Sequence, residues 1–282
     1  MEKKEKTYKS APLPFQGQKR RHAEKFSNVI KAINPDIVVD LFGGSGLLSH
    51  LAKRANPRSR VIYNDFDNYS KRLANIDKTN ELLAYFRELL HEYKDDEKIT
   101  GAMREKILQK LKDENEKGYV DWITLSSSLK FSMKYATDYE GFLKDAMYNK
   151  IRGTDYVVDG YLEGLEVVSV DYRELCRQYR GVSGVLFIAD PPYLSTDVST
   201  YSSAEYWKLK DYLDVLTELS GLNFVYFTSE KSQIIELCEW LEKNEGKVRN
   251  IFKDVTVSAV KSNTSGINSY TDIMIYKSLN VA

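Results

Sequence analysis

Cysteine and histidine are scarce in this 282-residue chain, which contains two cysteines and three histidines. Cys176 and Cys238 lie far apart and neither forms a Cys-x-x-Cys pair, so the sequence supports neither a zinc site nor a disulfide framework. The histidines lack ligand spacing, and we interpret them as surface or packing residues. These absences predict no metal site and fit a reducing compartment.

Neither sign of charge is in excess, and long apolar runs are missing. Lysine plus arginine and aspartate plus glutamate number 41 each, so the chain lacks the global positive field that alone would indicate a nucleic-acid binder. No stretch approaches the roughly 18 apolar residues of a membrane span, and no apolar segment follows the charged N-terminus as in a secretion signal. We expect a cytoplasmic protein without a membrane partner.

Basic residues are nevertheless concentrated near the N-terminus. The lysines between residues 3 and 9 have the composition of a solvated tail. Lys19, Arg20 and Arg21 follow a turn, and we predict that they contact nucleic acid near the ligand site.

Strand and helix signals alternate at both ends of the chain. Apolar residues at helical spacing indicate helices, and short apolar runs between turn signals indicate buried strands. The alternation predicts a Rossmann-like α/β fold with a mostly parallel, doubly wound sheet, in which the last two strands can pair antiparallel at one edge. The predicted helices cover 19–33, 47–55, 69–93, 103–115, 139–151, 171–179, 205–219 and 232–242, and the predicted strands cover 37–39, 60–63, 166–170, 185–189, 224–227, 248–257 and 270–276.

The alternation stops between residues 95 and 161, a segment rich in lysine, glutamate and tyrosine and without strong strand signals. We interpret this segment as an inserted helical domain. The predicted domains are therefore 1–94 and 162–282, which are two parts of one catalytic domain, and the insertion 95–161.

The tetrapeptide Asp190-Pro191-Pro192-Tyr193 directly follows the apolar run 184–189. It is the most informative motif of the chain, because few reactions require these residues at the end of a strand. Each proline fixes its φ and lacks an N–H, so the chain leaves the sheet in a stiff turn and the Pro191 carbonyl can face a ligand. Asp190 and Tyr193 can supply an acceptor and a flat stacking surface, which methylation of an exocyclic amine on an extruded base requires. A proline pair at a strand end is also an ordinary turn signal.

Three further carboxylates are predicted at the carboxyl ends of strands, where open α/β sheets bind ligands. Asp40 ends the first strand, and Asp171 ends a later one. Asp65, followed by Phe66, ends the second strand at the spacing where a carboxylate holds ribose hydroxyls. The turn after Asp40 has glycines that let backbone approach a ligand closely, and it contains Phe42, Gly43, Gly44, Ser45 and Gly46.

This glycine turn nearly matches the dinucleotide fingerprint Gly-x-Gly-x-x-Gly, with Ser49 in place of the third glycine. A dinucleotide-dependent dehydrogenase has no need of the Asp-Pro-Pro-Tyr motif, and no histidine or tyrosine–lysine pair stands out as its proton donor. The motifs together favour a nucleoside cofactor and methyl transfer.

Two more strings complete the set of motifs, namely Leu13-Pro14-Phe15-Gln16-Gly17-Gln18-Lys19 and Ser169-Val170-Asp171-Tyr172. In this order, and with an insertion before Asp-Pro-Pro-Tyr, the motifs resemble those of the D12-class, Dam-like DNA adenine-N6 methyltransferases. The resemblance covers most of the chain outside the insertion. It implies an S-adenosylmethionine-dependent methyltransferase fold in which the insertion reads the DNA sequence.

The resemblance also implies the contacts of the cofactor, S-adenosylmethionine, whose product is S-adenosylhomocysteine, without a metal. By resemblance, Lys19 also lies near the target base, and Asp171 and Tyr172 hold the adenine ring of the cofactor. The implied cofactor contacts are Phe15, Gly17, Lys19, Asp40, Phe42, Gly43, Gly44, Ser45, Gly46, Asp65, Phe66, Asp171, Tyr172 and Asp190.

Candidate contacts to double-stranded DNA lie in several segments. The insertion lacks the strings expected for a GATC-type site, so the target sequence does not carry over from the family. The segment 194–206 is long enough to act as a lid over the site, and the string 261–266 is a second candidate DNA-facing loop. Both are also typical of ordinary mobile surface segments. The candidate side chains are Lys19, Arg20, Arg21, Tyr193, Tyr201, Asn149, Lys150 and Arg152, together with the string 131–135.

The expected reaction is methylation of adenine N6 in DNA after base flipping. Tyr193 stacks on the base, and the Asp190 carboxylate and Pro191 carbonyl accept the two N6 protons, with Pro192 stiffening the turn. Rival interpretations are an RNA adenine or DNA cytosine-N4 methyltransferase, and a non-catalytic nucleic-acid-binding subunit. The protein is expected to act as a monomer in a restriction–modification system, in a phage or alone, and a cognate restriction endonuclease is one candidate partner.

Overall fold

The computed structural model describes residues 6–131, 135–193, 207–245, 250–265 and 268–278. Among these residues, no helix combines the length and the apolar character needed to cross a membrane. The chain divides into two compact units. The first comprises Met1–Ser10, Gln18–Asp67 and Leu162–Ala282, and the second comprises Ala11–Gly17 and Asn68–Tyr161.

The elements of both units are numbered in chain order. The helices are α1 (Ala23–Ile33), α2 (Leu47–Ala55), α3 (Tyr69–Ala74), α4 (Ile76–Leu89), α5 (Gly101–Lys117), α6 (Trp122–Leu129), α7 (Tyr139–Leu143), α8 (Tyr172–Tyr179), α9 (Leu209–Leu219) and α10 (Ile234–Glu245). The strands are β1 (Ile37–Asp40), β2 (Arg60–Asn64), β3 (Lys98–Ile99), β4 (Met147–Tyr148), β5 (Leu165–Val168), β6 (Val185–Ala189), β7 (Phe224–Ser229), β8 (Thr256–Ser265) and β9 (Asn268–Lys277).

The first unit is built on a seven-stranded sheet with the order β5-β2-β1-β6-β7-β9-β8. Strands β5, β2, β1, β6 and β7 are parallel, whereas β9 pairs antiparallel with both β7 and β8. This confirms the predicted α/β fold class, including the antiparallel pairing of the last two strands at one edge. The strand order reverses between β1 and β6, which is where doubly wound sheets bind ligands.

The middle strands of the sheet are covered on both faces, because successive side chains point to opposite sides of a strand. All five residues of β6 are buried: Phe187 joins the apolar cluster on one face, and Ile188 joins the cluster on the other. Phe26 of α1 is fully buried against the second face. Helix α1 ends at Asn34, a left-handed residue with φ 50° just before Pro35, and the chain then enters β1.

The second unit has its own apolar core, formed by residues of α4, α5, α6 and α7 such as Phe86, Leu111, Leu125 and Phe142. It therefore includes α4 as well as the whole predicted insertion, because Leu82, Leu83 and Phe86 of α4 pack into this core. The assignment of 95–161 to DNA recognition stays a prediction.

The histidines agree with the interpretation from sequence. His22 is buried, with its ring edge-on to Phe227 at a centroid distance of 5.6 Å, and His91 is exposed. His50 is buried, and its Nε2 accepts a hydrogen bond from the Tyr8 N–H.

The single helical stretch predicted over 69–93 is divided into α3 and α4 at Asn75. The Asn75 side chain donates to the Lys71 carbonyl at 2.8 Å, and Asn75 has non-helical backbone angles. Short polar side chains of this kind compete with the helical hydrogen bonds. Likewise, the predicted helix 19–33 begins with a separate 3-10 turn, Arg20–His22.

The helix predicted over 139–151 is wrong beyond Leu143, because β4 pairs there with β3 and buries Met147. Helix α6 was not predicted. Its signal is Asp121, whose carboxylate accepts the Thr124 N–H as an N-cap directly before an apolar run.

The strand predicted over 248–257 is misplaced, because residues 251–254 form turns and the strand β8 begins only at Thr256. Asp254 has φ 57°, which breaks an extended conformation. The string 261–266, predicted as a loop, continues β8 through Ser265, and residue 266 lies outside the described residues. Helix α9 begins at Leu209 within the predicted helix 205–219.

Candidate active site

Three predicted carboxylates meet at one edge of the sheet because β2, β1 and β6 are neighbouring parallel strands. In the pairing register, Asp40 at the end of β1 lies opposite Tyr63 of β2 and Ile188 of β6. Asp65 follows β2 and Asp190 follows β6, so both leave the sheet beside Asp40. Parallel pairing thus gathers groups that are far apart in the sequence.

Asp190 forms an ion pair with Lys19, whose Nζ lies 2.7 Å from Asp190 Oδ2. The Lys19 side chain is 5% exposed and the Asp190 side chain 17%. Burial raises the pKa of Asp190 to about 6, against the lowering effect of the Lys19 ammonium. Asp190 Oδ1 is buried and has no hydrogen-bond partner among the described residues. This oxygen is therefore an acceptor whose hydrogen-bonding capacity the described residues leave unused.

Tyr193 lies beside this ion pair. The Lys19 Nζ sits 4.9 Å from the centroid of the Tyr193 ring, and the Tyr193 hydroxyl donates a 2.7 Å hydrogen bond to Asp272 Oδ1. Between Asp190 and Tyr193, Pro191 is buried and Pro192 half-buried. Asp272 of β9 was not predicted from the sequence, since only the antiparallel pairing of β9 brings it here.

Asp40 is fully buried, and its Oδ2 accepts a 2.7 Å hydrogen bond from the Ser49 hydroxyl of α2. Its Oδ1 has no hydrogen-bond partner among the described residues. Burial, assisted by the nearby charge of Asp190, raises the pKa of Asp40 to about 7, although the Ser49 hydrogen bond acts in the opposite direction.

The glycine turn connects β1 to α2 in a conformation that side chains disfavour. Gly44 and Gly46 have φ of 48° and 72°, and a Cβ on Gly43 would collide with the Tyr63 ring. Ser45 is buried in the same turn. Gly46 is the N-cap of α2 and has no side chain that could cap the helix, so the positive end of the helix dipole faces the turn.

Tyr63 of β2 packs against the glycine turn and bonds to it through its hydroxyl. Its hydroxyl lies 2.7 Å from the Gly44 carbonyl and 3.0 Å from Asp65 Oδ1, so its single proton can serve either acceptor. Asp65 is buried, whereas the adjacent Phe66 is 55% exposed. The sequence did not indicate this role of Tyr63.

An aromatic cluster lies at the same edge of the first unit. The Tyr172 ring is 5.0 Å from that of Phe42, and Trp207 packs against both. Burial raises the pKa of Tyr172, whose hydroxyl has no hydrogen-bond partner among the described residues. Asp171 is exposed, caps α8 through the Arg173 N–H and pairs with the Arg173 guanidinium.

The N-terminal motif is divided between the two units, with Phe15 and Gly17 in the second. Phe15 is half-buried with its ring edge-on to Tyr69 at 5.8 Å, and Gly17 is an exposed turn residue with φ 80°. The Leu13 N–H donates to the Tyr69 hydroxyl, and Arg72 donates to the Pro14 carbonyl at 2.9 Å.

The predicted nucleic-acid contacts differ in exposure and in the hydrogen bonds that their side chains form. Arg20 is exposed, and Arg21 donates to the Lys261 carbonyl at 2.9 Å. The Asn149 amide is buried and donates to the carbonyls of Tyr93 and Lys94, a structural role that secures β4.

Two other candidates keep more of their surface exposed. Lys150 pairs with Asp96 and lies 5.1 Å from the Phe131 ring, and Arg152 lies 4.4 Å from the Tyr156 ring. The predicted lid 194–206, which includes Tyr201, lies outside the described residues, as do residues 132–134.

Several known proteins are similar to this chain. A protein of Haemophilus influenzae strain Rd, named "Putative methyltransferase", is 37% identical over 281 residues, covering 96% of this chain and 93% of the relative. A structure of the "SAM Dependent Methyltransferase from Agrobacterium tumefaciens" aligns with 91% of this chain at 14% identity and a TM-score of 0.40, and the chain spans 61% of its length. A methyltransferase structure from Geobacter sulfurreducens aligns with 94% of this chain and 81% of its own at 14% identity and a TM-score of 0.36.

The profile of one family matches residues 15–214, from the N-terminal motif through Asp-Pro-Pro-Tyr into α9. This match covers more than half of the chain, and the Haemophilus relative extends the similarity over nearly all of it. The chain therefore belongs to the family described as D12 class N6 adenine-specific DNA methyltransferase.

Proposed function

We propose that this protein transfers a methyl group from S-adenosylmethionine to the N6 amino group of adenine in double-stranded DNA. The observation that carries the proposal is the joint placement of Asp190, Tyr193 and Lys19 at the carboxyl end of β6, beside Asp40. An acceptor, a stacking ring and a cation within one small site are what an extruded aminated base requires.

The site fits S-adenosylmethionine. Asp40 Oδ1 is a buried acceptor suited to an ammonium group, and the start of α2 after Gly46 favours a carboxylate. Asp65, a buried carboxylate after β2, is the proposed acceptor for the ribose hydroxyls. The half-buried ring of Phe42, with Tyr172 and Trp207, offers an apolar surface for an adenine ring.

Gly43, Gly44, Ser45 and Gly46 bring backbone to the cofactor, and Phe66, Asp171, Phe15 and Gly17 remain proposed contacts. When bound, S-adenosylmethionine supplies an electrophilic methyl group on a sulfonium sulfur.

Asp190 and the Pro191 carbonyl orient the target amine by accepting its two protons. Drawing both protons into hydrogen bonds leaves the nitrogen lone pair directed out of the ring plane, where it can act as a nucleophile. Tyr193 stacks on the flipped base and offsets part of the cost of unstacking it. Most of the rate enhancement then comes from positioning and from fixed charges.

Lys19 keeps Asp190 in its ionised form, because the ammonium lowers the pKa of a carboxyl that burial raises. Its Nζ contacts both groups proposed to hold the base, the Asp190 carboxylate and the Tyr193 ring. Lys19 is therefore a proposed contact of the target base as well.

For the insertion, the structure brings together two strings that are separate in the sequence. The Phe131 ring is 51% exposed and edge-on to Tyr148 at 4.6 Å, with the Lys150 ammonium over it. An exposed aromatic ring beside a cation suits contact with bases and phosphates. We propose these residues and Arg152 as DNA contacts of the insertion 95–161, and Arg20 and Arg21 as phosphate contacts of the first unit.

The test is transfer of radiolabelled methyl from S-adenosylmethionine to unmethylated duplex DNA, followed by nucleoside analysis. We expect label in N6-methyladenine, a loss of about 100-fold for Asp190→Ala, and normal activity for Glu239→Ala, an exposed carboxylate of α10 outside the proposed site. Binding of S-adenosylmethionine by the wild type is measured in parallel by calorimetry.

Each other outcome assigns a different function. Label in N4-methylcytosine would mean that the substrate is cytosine in DNA, and label in RNA would mean that the substrate is RNA. Cofactor binding without transfer to any nucleic acid would contradict the substrate assignment, and absence of cofactor binding would favour a non-catalytic nucleic-acid-binding subunit. Action as a monomer in the cytoplasm, with or without a cognate restriction endonuclease, stays a prediction.

A further inference from the structure

We infer that Asp272 is a positioning residue that holds the Tyr193 ring in the orientation needed to stack on the target base. The inference rests on the proposed function. The Tyr193 hydroxyl donates a 2.7 Å hydrogen bond to Asp272 Oδ1, which joins a residue just after β6 to a residue of β9.

The acceptor end of this bond is rigid. Asp272 lies on β9, the middle strand of the antiparallel edge, and it pairs with Ser229 of β7 and Val260 of β8. Its side chain is nearly buried. Asp272 is thus held from both sides, and its carboxylate offers a fixed acceptor to the Tyr193 hydroxyl.

The donor end needs such an attachment. The stiff turn of Pro191 and Pro192 fixes the backbone that leads to Tyr193, but the ring still rotates about two side-chain bonds. The hydroxyl oxygen lies on the axis of the second torsion, so a hydrogen bond to a carboxylate restrains the first torsion directly. Because the phenolic O–H prefers the ring plane, the position of the carboxylate also favours one orientation of the ring face. The ring face is then preorganised before the base arrives.

The surroundings of Asp272 agree with this role. A buried carboxylate is costly unless it is hydrogen-bonded, and the Tyr193 hydroxyl supplies a bond of that kind. Asp272 also acts electrostatically on Asp190, whose pKa it raises, and on His22, whose pKa it raises against the effect of burial. Asp272 therefore lies within the field of the site although the target amine itself is assigned to Asp190.

The experiment is a double-mutant cycle with single-turnover methyl transfer to unmethylated duplex DNA as the readout. We expect Asp272→Ala to lower the rate about 10-fold or more, as for loss of a hydrogen bond to a charged group, with the cofactor Kd within twofold of the wild type. Asp272→Asn keeps an acceptor oxygen and should restore most of the rate. In a Tyr193→Phe background, Asp272→Ala should have no further effect.

A second readout reports on the ring itself. With 3-fluorotyrosine incorporated at position 193, the fluorine resonance should shift in Asp272→Ala. It should stay in place in Glu230→Ala, a control that removes the carboxylate bound by the Thr271 N–H of β9 and leaves Asp272 intact.

Three results would overturn the inference. These are equal losses from Asp272→Ala with Tyr193 and with Phe at position 193, an unchanged rate in Asp272→Ala, and an unchanged fluorine resonance. If the wild type makes no N6-methyladenine, the proposed function itself fails. An active wild type combined with any of the three results defeats only the role of Asp272.

Discussion

Lys19 and Asp190, which are far apart in the sequence, form a 2.7 Å ion pair with little solvent around either side chain. Because the ammonium lowers a pKa that burial has raised to about 6, its charge decides how much of Asp190 is ionised near neutral pH. In the proposed mechanism an ionised Asp190 accepts a hydrogen bond from the target amine, so the rate of methyl transfer should fall as the pH drops through about 6.

Replacing Lys19 with methionine should move this acidic limb to higher pH, since the lowering influence on the pKa of Asp190 is lost. At pH 7 the rate should fall about 10- to 100-fold, as for loss of a charged hydrogen bond. Single-turnover transfer measured from pH 5 to 9 tests this, with Lys19→Arg as the charge-retaining control. An unshifted limb in Lys19→Met would contradict the assignment of the limb to Asp190.

Asp40→Asn should change the pH dependence of stability. The folded pKa of Asp40, about 7, is above its ordinary value, so its contribution is fully present below about pH 4 and is lost as the pH rises through 7. The amide removes the titration and retains an oxygen for the Ser49 hydroxyl. The free energy of unfolding of Asp40→Asn should therefore rise relative to that of the wild type between pH 5 and 8.5.

Urea unfolding at several pH values measures this difference. Ser49→Ala, which removes the hydrogen bond that lowers the pKa of Asp40, should steepen the loss of stability with rising pH. Parallel curves for the wild type and Asp40→Asn would show that Asp40 titrates normally.

Gly43→Ala should damage the cofactor site. The added Cβ would collide with the fully buried Tyr63 ring and lie 2.8 Å from the Asn64 carbonyl oxygen, so backbone must shift. Overpacking of this kind costs about 1–3 kcal/mol, and the displaced turn should weaken S-adenosylmethionine binding. Gly153→Ala is the matched control, because a Cβ there meets nothing within 4 Å.

Thermal unfolding and calorimetric titration of the two variants measure these effects. If Gly43→Ala bound the cofactor with wild-type affinity, the glycine turn would not be part of the cofactor site.

Asp121→Ala should strongly destabilise the second unit. Arg72 Nε lies 3.1 Å from Asp121, both side chains are buried, and Arg72 also donates to the Pro14 carbonyl. Removing one partner of a buried ion pair leaves an uncompensated charge and costs about 3–5 kcal/mol. By comparison, Glu166→Ala removes an exposed ion pair with Arg60 and should lower the free energy of unfolding by only about 1 kcal/mol or less.

Hydrogen exchange followed by mass spectrometry locates the change. In Asp121→Ala, exchange should accelerate in α6, whose N-cap is lost, and in residues 11–17, which Arg72 helps to hold. Unchanged protection in both segments would mean that the ion pair contributes little.

The sequence by itself determined the order of strands and helices in the first unit, because each element carries a local signal. Strand β6 is a continuous apolar run, and α1 ends where a left-handed Asn34 precedes Pro35. The Asp-Pro-Pro-Tyr motif and the glycine turn can also be recognised locally, because proline restricts the backbone at its own position and glycine frees it.

Only the tertiary structure decided the partners of these motifs. Asp272 reaches Tyr193 because β9 pairs antiparallel with β7, and Tyr63 reaches Gly44 because β2 lies beside β1. The short strand β4 depends in the same way on a distant segment, because it pairs with β3. A sequence records the local preferences of each segment, whereas strand pairing joins residues whose separation along the chain carries no local signal.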